Sequence, residues 1–199
     1  MKSNVCRIEK GTGDLNTILR ESEKVAEYNE LTHKQTLQLR LLCEEIDGML
    51  PHMIGEFEGD FWIEFTEGVC KVCVSIQIPE LNTGKKSELI RVAKNRKNAA
   101  AVGIVGKIRN AIENFFLSEE TMVALDASAE SFYLATGYSE GVDYSYLWSL
   151  EQYRSMVNKE ENGEGWDELE KSVIASVADD VIVGIKGHRA DIIIVKKFA

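Results

Sequence analysis

Residues 174–198 read IASVADDVIVGIKGHRADIIIVKKF, and this stretch decides the class of fold. VIVGI and DIIIV are two runs dominated by β-branched residues, which suit a pleated surface. KGHRA between them is polar and holds the glycine that lets a chain reverse. The pair predicts a β-hairpin. IASVADD ahead of it closes an amphipathic pattern running from WDELEKS, so a helix is expected to feed the hairpin directly.

Working outward, GDFWIEFTEGVCKVCVSIQIP at 59–79 alternates apolar and polar residues over two runs. Phe61, Ile63 and Phe65 share one face of the first run. Val72, Val74, Ile76 and Ile78 share one face of the second, and Glu67-Gly68 makes the turn. Upstream, SNVCRIE reads as a short strand with Val5 and Ile8 pointing inward. GTGD supplies a turn, and Asp14 opens a helix to about Tyr28 whose stripe is Leu15, Ile18, Leu19, Ser22, Val25 and Ala26. Thr32 caps a second helix from about His33 to Leu50, with a core face of Leu39, Leu42, Cys43, Ile46 and Met49 or Leu50. Gly48 weakens that helix and Pro51 ends it.

Between the hairpins the pattern changes. PELNTGKK is a loop, and Ser87 to Phe116 is a long helical pattern rich in small residues. Residues 117–145 are acidic and mix short strand and loop. YSYLWSLEQYRSMV reads as helix, and KEENGEG is a polar break. The order is strand, helix, helix, hairpin, helical middle, helix, hairpin. It predicts an α+β two-layer sandwich: one mixed or antiparallel sheet with helices on one face. One domain over 1–199 is expected, carrying a mostly helical insertion at about 83–160.

Composition is that of an ordinary globular chain, with 44% hydrophobic and 28% charged residues among 199. The sequence has no 18-residue apolar run and opens without an apolar signal core, so the expectation is a cytoplasmic protein with no membrane span. The net charge of −10 argues against nucleic acid as a partner of the whole surface. The charge is uneven: residues 85–109 hold eight basic side chains against one acid, Glu88, a local net of +7 that leaves −17 elsewhere. Such a segment is either a solvated helix face paired with acidic neighbours or a surface for an acidic partner.

Three groups of residues invite chemistry. Cys70 and Cys73 form CxxC, but on a strand an offset of three places the two thiols on opposite faces, where they cannot share a metal. Cys6 and Cys43 are isolated, so no metal or disulfide is expected. GIVGK at 103–107 lacks the strand–GxxxxGK[ST]–helix context of a phosphate loop. His33, His52 and His188 have no metal-ligand spacing, and Trp62, Trp148 and Trp166 read as core or interface anchors.

The remaining group is LQLRLLCEEIDGMLPHM at 37–53. With the hairpin that follows it and the IASVADDVIVGIKGHRADIIIVKKF ending, it resembles the histidine-kinase-type (GHKL) ATPase fold, most of all the branch of bacterial anti-sigma factor serine kinases. The resemblance covers residues 3–80 and about 165–199. It implies that Glu45, rather than Glu44, stands where that family keeps its catalytic base. It also implies an Asn one turn later for Mg²⁺, a DxGxG for adenine and a GxG for phosphates. Here Met49 and Gly48 follow the two glutamates, SIQIPELNTGKK replaces DxGxG, and Glu168 and Glu170 occupy the places of the GxG glycines. Glu44 also has an ordinary reading, as the i,i+4 partner of Arg40.

Two functions follow as expectations. The first is a regulatory or protein-interaction module on a degenerate GHKL-type scaffold without ATP turnover, with a protein partner or a second copy of itself. The alternative is an active anti-sigma factor kinase-like protein that binds ATP and Mg²⁺ and uses Glu45 as base. An unrelated α+β enzyme with its site in residues 119–160 is the third class.

Overall fold

The computed structural model describes residues 1–10, 15–53, 57–77, 146–157 and 172–198, together with the helical positions Ile104, Gly106 and Ile108. The elements are β1 (Cys6–Glu9), α1 (Leu15–Tyr28), α2 (His33–Met53), β2 (Glu58–Thr66), β3 (Val69–Gln77), β4 (Tyr146–Ser149), α3 (Leu150–Val157), α4 (Val173–Val177), β5 (Asp180–Lys186) and β6 (Arg189–Lys197). Among the described residues the strands form one six-stranded sheet in the order β1-β2-β3-β6-β5-β4. Every neighbouring pair is antiparallel. The α+β sandwich expected from the sequence is therefore what the chain forms, with antiparallel pairing throughout the described strands.

Both hairpins lie where their alternation places them. Glu67 and Gly68 turn the first with φ of 50° and 77°. Two positive values in a two-residue loop match the twist of the flanking strands. A side chain at Gly68 would also approach the Phe198 carbonyl to 2.9 Å, while Phe198 N–H donates to the Gly68 carbonyl at 2.8 Å. That bond ties the chain's last strand to the first hairpin. The two hairpins join centrally, with Val72 opposite Ile194 and Val74 opposite Ile192.

One face of the sheet meets the helices. Phe61, Ile63, Val72, Val74, Ile76, Val181, Val183, Ile192 and Ile194 form one buried cluster with Ile18 and Val25 of α1, Leu39, Leu42 and Ile46 of α2, Leu150 of α3 and Ile174 of α4. Ile104 and Ile108 belong to the same core. At about 25 cal/mol per Å² of apolar surface removed from water, this layer is the main favourable term in folding. On the opposite face Cys73, Ile182, Ile193 and Val195 make a smaller buried patch, with Trp62 and Val69 packed against it.

Three expectations need correction. Ile8 faces inward as expected, but Val5 is 56% exposed and Cys6 takes the other inward place. Lys2 lies opposite Glu64 and Cys6 opposite Phe61, so four steps on the first strand span three on β2. An extra residue of this kind is a β-bulge, which reverses the facing parity on its two sides. Second, α2 runs through Pro51 to Met53. A proline one turn from a helix end removes a single N–H bond, and the helix carries on past it. Third, YSYLWSLEQYRSMV begins as the edge strand β4 and becomes helix only at Leu150. Ser149 Oγ accepts the Gln152 N–H at 3.1 Å there, which starts the helix. Asp14, the greater part of Ser87–Phe116, residues 117–145 and WDELEK lie outside the described residues.

Candidate functional site

The candidate site is built on α2. Its entry is a capping box: Gln35 Oε1 accepts the Thr32 N–H at 2.9 Å, and Thr32 Oγ1 accepts the Gln35 N–H at 3.4 Å. The helix then buries Leu39, Leu42, Cys43, Ile46, Met49 and Leu50 as one stripe, because residues three and four apart return to the same face.

That stripe separates the acidic residues around it. At about 100° per residue, Arg40, Glu44 and Asp47 fall on one side of the helix and Glu45 on the other flank. Arg40 Nε donates to Glu44 at 3.0 Å and its Nη1 donates to Glu23 of α1 at 3.1 Å. The expected i,i+4 pair exists, and it extends across to the neighbouring helix. Burial pushes the Asp47 carboxyl above its ordinary range.

Glu45 is half-buried on the flank turned away from α1. Helix α1 packs against β2 toward one end of the sheet, whereas α4 leads into β5 toward the other and also packs against α2. The Glu45 flank therefore faces the α4 side. Its neighbours one turn away on α2 are Leu41, Leu42, Gly48 and Met49. None offers a second oxygen. Met49 is only 5% exposed and its thioether belongs to the core. A hard divalent cation takes several oxygen ligands, and among the described residues no three His, Cys, Asp or Glu side chains are grouped to hold a metal. His33 is exposed at the start of α2, and His188 is exposed in the last hairpin turn, far from it in the chain. The side chain of His52, Ile78 with the PELNTGKK segment after it, and Glu168 and Glu170 lie outside the described residues.

The aspartates ahead of the last hairpin are engaged in the fold. Asp180 Oδ1 accepts the Glu151 N–H at 2.9 Å and the Val181 N–H at 2.8 Å. One buried carboxylate thus satisfies an orphan amide at the start of α3 and an amide of β5. Burial raises its pKa, and the bonds from Glu151 and Val181 act against that rise. Asp179 Oδ2 accepts the Lys197 N–H at 2.6 Å and pairs with Lys196 at 3.3 Å. Arg154 donates to the Ala175 and Asp179 carbonyls, closing the C-terminal end of α4 with a cation.

The cysteines behave as the strand geometry requires. Cys70 lies in the helix-side core with Cys6 and Cys43, and Cys73 lies in the patch on the other face. All four are buried, and none is in a disulfide. Burial pushes Cys70 up to about 12 and raises Cys43 and Cys73 as well. Thiols held this far from the thiolate are poor nucleophiles and poor metal ligands.

One polar site escaped the sequence reading. Glu21 stands on the flank of the apolar stripe of α1, one turn from Ile18 and from Val25, and is 5% exposed. It accepts the Asn4 N–H at 3.1 Å, Asn4 Nδ2 at 3.2 Å and Lys24 Nζ at 2.6 Å. Asn4 lies in the bulge, so the carboxylate serves an amide that the strand ladder does not. No local signal marks it, since Glu45 holds the equivalent position on α2; a buried charge requires partners, and here Asn4 and Lys24 supply them. Its task is structural.

Comparison with family models, curated proteins and solved structures finds no match to this chain. No described helix is long and apolar enough to cross a membrane.

Proposed function

We propose that this chain is a regulatory or protein-interaction module on a GHKL-like scaffold that does not turn over ATP. One observation carries the reading. The position one turn after Glu45, where the resemblance asks for a magnesium-binding Asn, is Met49, and its side chain is buried in the core. A thioether is a soft donor and a poor ligand for magnesium. Glu44 adds nothing to such a site, since Arg40 holds it on the other side of the helix. The Asp179-Asp180 pair supports the same reading, because both carboxylates are occupied in joining α3, β5 and β6.

In this proposal the basic segment 85–109, with its net of +7, recognises an acidic protein surface. Opposite charge would steer the encounter and make it salt-sensitive. The alternative, ATP-dependent phosphotransfer with Glu45 as base, rests on the resemblance alone.

Isothermal titration with Mg-ATP tests the reading: no binding heat is expected, and saturable micromolar binding would overturn it. The partner half is tested by comparing proteins retained in cells by the parent and by a Lys85, Lys86, Arg91 and Lys94 to Ser variant. A partner lost only from the variant is expected, and equal retention contradicts the assignment to this segment.

A further inference from the structure

We draw no further inference here: the strongest candidate, the apolar patch of Cys73, Ile182, Ile193 and Val195 on the sheet face opposite the helices, carries none, because nothing in the structure shows what covers it.

Discussion

Replacing Glu21 by alanine tests how the first strand is held. The carboxylate accepts two bonds from Asn4 and one from Lys24. Truncation strands two Asn4 donors in a partly buried place. A hydrogen bond to a charged group contributes about 1.5–3 kcal/mol, and an unsatisfied donor costs about 1–3 kcal/mol. The Lys24 side chain is 50% exposed, so its ion pair adds only about 0–1 kcal/mol. Loss of both Asn4 bonds with partial rescue by water gives a destabilisation of about 2–4 kcal/mol. For a domain of this size that lowers Tm by roughly 4–16 °C, and urea denaturation should show a lower midpoint with an unchanged slope.

Glu21 also carries a pH signature. Burial pushes its pKa up, but the bonds from Lys24 and Asn4 outweigh that and leave it below the usual carboxylate value. A depressed folded pKa means stability that is present above the unfolded pKa and lost as pH falls through the folded one. The difference between the parent and Glu21→Gln should therefore be largest near neutrality and shrink below about pH 4. A Glu21→Ala protein within about 0.5 kcal/mol of the parent, or a Glu21→Gln difference that ignores pH, would refute this account.

Other expectations can be checked with the same denaturation assay. Asp180→Ala should cost about 1–2 kcal/mol through loss of the α3 cap, and Asp180→Asn clearly less, since it keeps an acceptor and removes the buried charge. Glu45→Gln should change stability by less than about 0.5 kcal/mol, whereas Ile194→Ala in the central strand pair should cost about 2–5 kcal/mol. The four native thiols should resist Ellman's reagent until the protein unfolds, while Val5→Cys should label rapidly in the folded state. Slow labelling of Val5→Cys would mean that the first strand faces the other way.

The fold was largely legible because its strongest signals are local. Period-two alternation and a turn pair place each hairpin, and in Glu67-Gly68 the residues that must take positive φ are visible. The stripe of α2 was equally plain. The errors came where long-range geometry overrides local pattern. The inward choice of Val5 failed because the bulge opposite β2 shifts the side-chain parity, and no residue in SNVCRIE announces it. Tyr146–Ser149 forms an edge strand because β5 offers it a partner, although its residues continue a helical pattern. Pro51 reads as a stop yet is tolerated near a helix end. On α2 the buried face was readable, and so was the separation of Cys70 from Cys73. Which flank faces α1 was not, because that depends on Arg40 reaching Glu23 on another helix.

The most direct test of the proposal, that α2 presents no magnesium–triphosphate cradle, is thermal denaturation with and without about 1 mM Mg-ATP. A ligand at 100 times its Kd stabilises the folded state by about 2.7 kcal/mol, which here raises Tm by roughly 5–11 °C. The account predicts no shift. A saturable rise of that size would contradict it.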